Sequence, residues 1–131
     1  LSYREFDTAR GPWLIPTSTP VQFEPDALRA SIARLLALQP RAMYLTHFGR
    51  IGDVARLAED LLRLLQRMVD IGLALRGAPA RHARLREALA AMYLESLHAH
   101  GCTLDGAASL ALLEMDIELN AQGLAVWLDR A

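Results

Sequence analysis

The stretch Met43-Tyr44-Leu45-Thr46-His47-Phe48-Gly49 marks the point at which the chain changes from mixed strand and helix to helix alone. Its apolar start, shortly after a proline, predicts one short buried strand. Thr46 and His47 then stand at the carboxyl end of that strand, just before Gly49 and Gly52 interrupt the pattern. Because α/β folds build their sites at the carboxyl ends of strands, His47 is a candidate functional residue. The alternative is a half-buried histidine with a structural role.

Upstream of this stretch the pattern predicts two strands and a helix. Residues 2–8 and 12–16 read as strands, and Ala9-Arg10-Gly11 between them suits a hairpin turn in which glycine supplies a positive φ. Pro25 can occupy the first turn of a helix that runs to about Leu38, because apolar residues recur there at helical spacing. The order strand, helix, strand is typical of a layered α/β arrangement.

Downstream of Gly52 the pattern is helical throughout. Asp53 is placed to cap a helix that ends near Gly77, and two adjacent rows of apolar residues give this helix a stripe broad enough to pack on two neighbours. A second helix follows from Pro79 to Gly101. A third is expected over residues 105–115 and a last one from about Asp116. The sequence therefore predicts an α-helical bundle over residues 51–131.

Composition excludes several classes of protein. The 131 residues carry a formal net charge of −1, which gives no electrostatic footprint for nucleic acid. No apolar run approaches the roughly 20 residues that span a bilayer, so no membrane partner is expected. The single cysteine, Cys102, cannot form an internal disulfide and fits a reducing compartment, which predicts a cytoplasmic location.

Three segments, residues 2–7, 16–25 and 44–49, resemble the last part of a metallo-β-lactamase-fold hydrolase. In that family the final metal-ligating histidine stands at the tip of the last core strand, after a helix, and His47 matches that position. Residues 119–124 with Trp127 resemble the helical extension of one bacterial branch. The resemblance implies an α+β chain, mostly α. Residues 1–50 would be the carboxyl-terminal strands and helix of an αββα sandwich, and residues 51–131 a helical domain.

The resemblance also implies a chemistry. The family uses a dinuclear zinc or iron site to make hydroxide at neutral pH, and the substrate class implied is an ester, thioester or similar acyl compound. The family's His-x-His-x-Asp-His loop is absent from this sequence, as are its middle histidine and bridging aspartate. His98-Ala99-His100 imitates the start of the loop, but Cys102 and Thr103 stand where Asp and His are required. We therefore expect the carboxyl-terminal piece of a longer protein, catalytically incomplete and without a cofactor of its own.

Five further residues are candidates for contact with a small-molecule substrate: Tyr3, Thr17, Ser18, Thr19 and Tyr44. The alternative for the hydroxyls is local hydrogen bonding to the backbone, and for the tyrosines packing. A remnant of the sandwich would leave apolar surface uncovered, which predicts a homo-oligomer. The alternative function is a non-catalytic helical module for packing or dimerisation.

Overall fold

The structure, a computed structural model, describes residues 2–4, 6, 8–18, 22–46 and 48–130. Over these residues the chain is α+β and mostly helical, with two antiparallel hairpins and four helices. The elements in chain order are β1 (Ser2–Arg4), β2 (Trp13–Ile15), α1 (Pro25–Ala37), β3 (Met43–Leu45), β4 (Gly49–Ile51), α2 (Val54–Ala74), α3 (Arg81–Ala99) and α4 (Gly106–Arg130).

The first hairpin pairs β1 with β2, as predicted, although both strands are shorter than expected. Gly11 in its turn has a φ of +80°, and its N–H donates to the carbonyl oxygen of Thr8 at 3.2 Å. The turn docks on the end of α3, where the N–H of Ala9 donates to the carbonyl oxygen of Gly101 at 3.2 Å. Trp13 anchors the same hairpin, because its Nε1 donates to the Ser96 hydroxyl on α3 at 2.9 Å. The first hairpin therefore packs into the same core cluster as the three long helices.

The second hairpin pairs β3 with β4, with Met43 opposite Ile51 and Leu45 opposite Gly49. The strand over residues 43–45 is confirmed, but the prediction that it is buried is wrong, because Met43 and Leu45 are half-buried and Tyr44 is exposed. The strand β4 was not predicted. Gly49 and Gly52 were interpreted as the end of the strand pattern. Gly49 instead begins β4 with a φ of +132°, a conformation that side-chain-bearing residues rarely adopt. The two hairpins form two separate two-stranded sheets.

Helices α1 and α2 begin and end close to their predicted limits. Pro25 stands in the first turn of α1, as expected. Asp53 precedes α2, but the prediction that its side chain caps the helix is wrong. Capping residues have an extended backbone, whereas Asp53 is left-handed with a φ of +47°. Its carboxylate instead accepts a hydrogen bond from the Nε of Arg56 at 2.6 Å.

The three long helices enclose the main core. The broad stripe predicted for α2 is confirmed, because both of its apolar rows are buried against neighbouring elements. The expected separate helices over residues 105–115 and from Asp116 are one continuous α4 of 25 residues. Residues 107–122 contain neither glycine nor proline, so nothing in the backbone interrupts this helix. The most deeply buried core side chains include Leu65, Met68, Leu85, Leu89, Tyr93, Leu97, Leu113 and Leu124.

Candidate functional site

The predicted metal ligand, His47, lies outside the described residues. The strand before it ends at Leu45, so Thr46 directly follows the strand, as the sequence predicts. The N–H of Phe48 donates to the carbonyl oxygen of Leu45 at 3.3 Å, which closes a turn after β3. The assignment of His47 as a ligand stays a prediction.

The predicted substrate contacts fall on both hairpins. Tyr44 lies in β3 and is 79% exposed, so its ring is free to meet a ligand. Thr17 follows β2 and is half-buried, while Ser18 is buried with 2% of its surface exposed. Tyr3 lies in β1, where only its backbone is described, and Thr19 is outside the described residues. The structure therefore places Thr17 and Ser18 after one sheet and Tyr44 in the other.

Ser18 is the start of a buried hydrogen-bond network that reaches Asn120 on α4. The backbone N–H of Ser18 donates to Asn120 Oδ1 at 2.7 Å, and its hydroxyl lies 3.0 Å from the Asn120 carbonyl oxygen and 3.1 Å from Oδ1. The Nδ2 of Asn120 donates to the carbonyl oxygen of Pro16 at 3.1 Å. A substrate would therefore have to compete with Asn120 for the Ser18 hydroxyl.

The network continues from Asn120 into the centre of the bundle. Asn120 Nδ2 also donates to the hydroxyl of Tyr93 on α3 at 2.7 Å, and that hydroxyl lies 3.6 Å from the sulfur of Met68 on α2. Complete burial raises the pKa of Tyr93 well above its ordinary value of 10.0, outweighing the hydrogen bond from Asn120. Tyr93 therefore stays protonated at physiological pH, because burial disfavours the charged phenolate.

A close approach of backbone to backbone accompanies these bonds. A Cβ built on Gly123 would overlap the Ser18 hydroxyl and lie 2.6 Å from Ser18 Cβ and 2.8 Å from the Ser18 carbonyl oxygen. Glycine at position 123 is thus required for the segment after β2 to lie against α4. Sequence reasoning missed this contact, because Ser18 and Asn120 are 102 positions apart. The signal was a polar residue at helical spacing from the apolar residues Leu113, Ile117 and Leu124, with a glycine three residues later.

An open apolar groove lies between the two hairpins, α1 and α2. Both sheets contribute to it, through Leu14 of β2 and through Met43, Leu45 and Ile51 of the second hairpin. The α1 side is formed around Ile32, Leu35 and Leu36, and of these Leu35 is 41% exposed. Its lining is almost wholly apolar. A surface of this kind is suited to packing against other apolar elements.

A polar cleft opens where the first hairpin meets the end of α3. Four of its charged side chains form ion pairs, Arg63 with Asp60 at 2.5 Å and Arg67 with Glu95 at 2.6 Å, and Arg10 also lines it. His100 also lines the cleft, and its Nε2 is buried without a hydrogen-bond partner among the described residues. The internal ion pairs satisfy most of the charge in this cleft.

The His98, His100 and Cys102 cluster separates in space. His98 is exposed on α3, while Cys102 is buried and forms an isolated β-bridge with Thr8. In the part of the chain that the structure describes, no group of three or more His, Cys, Asp or Glu residues is arranged to hold a metal ion.

No helix among the described residues combines the length and the apolar character needed to cross a bilayer. No protein-family model, curated protein or solved structure matches the chain.

Proposed function

We propose that this chain is the carboxyl-terminal part of a metal-dependent hydrolase with the metallo-β-lactamase fold. The intact enzyme would act in the cytoplasm on an ester, a thioester or a similar small acyl compound. Residues 1–50 would complete its αββα sandwich, and residues 51–131 would form a helical domain attached to it. The chain alone would not be catalytically complete.

The observation that carries the proposal is the order of elements around His47. A hairpin, the helix α1 and the strand β3 follow one another, and β3 ends two residues before His47. In the metallo-β-lactamase family, the last metal-ligating histidine likewise follows a helix and stands at the end of a strand. Sites at the carboxyl ends of strands are also the general rule in layered α/β folds.

The open apolar groove supports the same proposal. Over the residues that the structure describes, each of the two sheets has two strands of three residues, and an isolated hairpin of this size is marginally stable in water. A two-stranded sheet can accept a further strand at either outer edge, and the groove between the two hairpins is lined largely by leucine and isoleucine. Further strands of a sandwich would pair with these edges and cover the groove.

The metal chemistry follows from the donor that this chain supplies. A neutral imidazole suits zinc or iron, and a catalytic zinc site takes about three protein ligands. His47 would supply one ligand, and the others would come from the amino-terminal part of the intact enzyme. A bound metal would provide a strong nucleophile at neutral pH. Of the five candidate contact residues, Tyr44 is exposed, Thr17 is half-buried and Ser18 is buried.

The test is a histidine substitution in the intact protein. We expect His47→Ala to lower the metal content and to reduce hydrolysis of a p-nitrophenyl ester by about a hundredfold or more. His98→Ala is the matched control, because His98 is exposed on α3 and is expected to leave both quantities unchanged. Full activity and full metal content in His47→Ala would show that His47 is not a ligand.

A second candidate function, a helical module for dimerisation, is favoured by one surface of α4. Leu112, Met115 and Leu119 lie on one side of this helix and are 51%, 69% and 42% exposed. Apolar residues at this spacing form a stripe that can pack against another helix. Met115→Glu would then shift the sedimentation coefficient from dimer to monomer, whereas Glu114→Gln on the same helix would not. A wild-type chain that is monomeric at every concentration would exclude this function.

A further inference from the structure

The polar cleft where the first hairpin meets the end of α3 has hydrogen-bond donors to spare, whereas its carboxylates are already bound to arginine. We propose that this cleft binds the phosphate group of a small molecule, with Arg10, Ser96 and His100 as the contacting residues. The site is separate from the proposed hydrolase function, because it needs neither His47 nor a metal ion. The cleft has a volume of about 310 Å³, near the lower end of the range of about 300–1,000 Å³ that ligand pockets occupy.

Both carboxylates among the described lining residues are occupied on each of their oxygens. Asp60 accepts from Arg63 through Oδ1 at 2.5 Å and from Arg56 through Oδ2 at 3.0 Å. Glu95 accepts from Arg67 through Oε1 at 3.4 Å and through Oε2 at 2.6 Å. Because these negative charges are already paired with guanidinium groups, they oppose a bound anion much less than free carboxylates would.

Arg10 supplies a positive charge that the cleft does not neutralise. Three arginines and two carboxylates line the cleft, and Arg10 forms no ion pair with another residue that the structure describes. It lies exposed in the turn of the first hairpin, where its backbone N–H donates to the carbonyl oxygen of His100 at 3.3 Å. This bond holds the two residues side by side. A guanidinium group presents a planar fork of N–H donors that matches the oxygens of a phosphate.

Ser96 and His100 add two donors to the lining. The Ser96 hydroxyl accepts from Trp13 Nε1 at 2.9 Å, and its own proton has no acceptor among the described residues. The Nε2 of His100 is buried and has no hydrogen-bond partner among them either. Buried polar atoms nearly always have a partner, so such a nitrogen points to a bound group. In the tautomer that carries its proton on Nε2, the His100 ring donates to that group.

The chemistry of these donors favours phosphate over a carboxylate. A phosphate group offers more acceptor oxygens than a carboxylate and carries up to about two negative charges at neutral pH. The donors belong to three separate residues, which a ligand with several acceptor oxygens can satisfy together. Trp13 and Leu64 add apolar surface to the lining, against which an organic part of the ligand can pack.

The test is a titration of the 131-residue chain with inorganic phosphate at constant ionic strength, followed by backbone amide chemical shifts. We expect saturable shifts at Arg10, Ser96 and His100, with a Kd of about 1 mM or tighter. Arg10→Gln is expected to weaken binding about tenfold or more, because it removes a charge-assisted hydrogen bond. Arg34→Gln is the matched control: it removes the same charge from an exposed position on α1 outside the cleft, and its Kd is expected to stay within about twofold of wild type.

His100→Phe keeps an aromatic ring but removes the nitrogen, and we expect phosphate to bind about threefold or more weakly. Because Arg10 is exposed, Arg10→Gln decides the question even if His100→Phe does not fold. Phenyl phosphate that binds about tenfold more tightly than inorganic phosphate would identify a phosphate monoester as the ligand, and equal or weaker binding would identify free phosphate. Shifts that do not saturate, an unchanged Kd in Arg10→Gln, or acetate bound as tightly as phosphate would each overturn the site.

Discussion

The substitution Gly123→Ala tests the packing on α4 of Pro16, Thr17 and Ser18, which are named here the 16–18 segment. The new methyl group would overlap the Ser18 hydroxyl and lie 2.8 Å from the Ser18 carbonyl oxygen. This second contact is with backbone, which cannot turn aside as a flexible side chain can. The segment must therefore move away from α4, and the bonds between Ser18 and Asn120 must lengthen or break.

The size of the effect follows from three contributions. Overpacking of a buried site costs about 1–3 kcal/mol. Each buried hydrogen bond lost between Ser18 and Asn120 costs about 1 kcal/mol. Alanine in a helix is favoured over glycine by about 1 kcal/mol, which offsets part of the loss. We expect the free energy of unfolding to fall by about 3 kcal/mol and Tm by roughly 10 °C.

Urea unfolding followed by circular dichroism measures this change. Gly106→Ala in the same helix is the matched control, because the nearest atom to its new methyl group is Leu94 Cδ1 at 3.9 Å. We expect this control to be as stable as wild type or slightly more so. If Gly123→Ala is as stable as Gly106→Ala, the 16–18 segment does not lie against α4 as described.

Three further predictions concern pH, metal and association. The hydrogen bond from Gln122, and then His82 and Arg86, hold the pKa of Glu118 below its ordinary value of 4.5. A folded-state pKa below the unfolded one stabilises the protein at neutral pH, and this contribution is lost as pH falls through the lowered pKa. Glu118→Gln is therefore expected to be less stable than wild type at pH 7 and equally stable in strong acid, as measured by urea unfolding. After dialysis against a chelator, the 131-residue chain is expected to carry far less than one zinc or iron ion per molecule, as measured by elemental analysis. One retained ion that disappears in a His98→Ala, His100→Ala double variant would place a metal site at the end of α3. Sedimentation at several concentrations is expected to show a dimer or higher oligomer, because the groove and α4 expose apolar surface; a strict monomer would mean that the helices cover the core unaided.

Helices α1, α2 and α3 could be predicted from the sequence because their signals are local, whereas the single helix α4 was predicted as two. Apolar spacing alone marks α2, and Pro25 alone marks the start of α1. The strand β4 could not be predicted in this way. Gly49 and Arg50 have little intrinsic preference for a strand, and the conformation depends on pairing with β3. The cap at Asp53 failed for a related reason, since the chain must turn sharply between β4 and α2 and this fixes a left-handed backbone there.

The residues of the candidate site also differ in whether a local sequence signal marks them. His47 could be proposed as a site residue because it follows a strand signal in the sequence. The contacts of Ser18 were not, because a serine between threonines in a proline-bracketed loop is ordinary loop composition. Only the folded chain brings Asn120 to it. Buried polar contacts between distant segments carry no periodicity, so they are seen only when the packing of the helices is known.

The single cysteine of the chain gives access to the kinetics of local opening. Cys102 is 8% exposed and is held against Thr8 by the β-bridge that docks the first hairpin on the end of α3. A thiol reagent can reach its sulfur only when that hairpin lifts from the bundle or the whole domain unfolds. Because the sequence contains no other thiol, the modification rate reports on one position without mutagenesis. In low urea, that rate would distinguish a hairpin that detaches by itself from one that opens only with the three long helices.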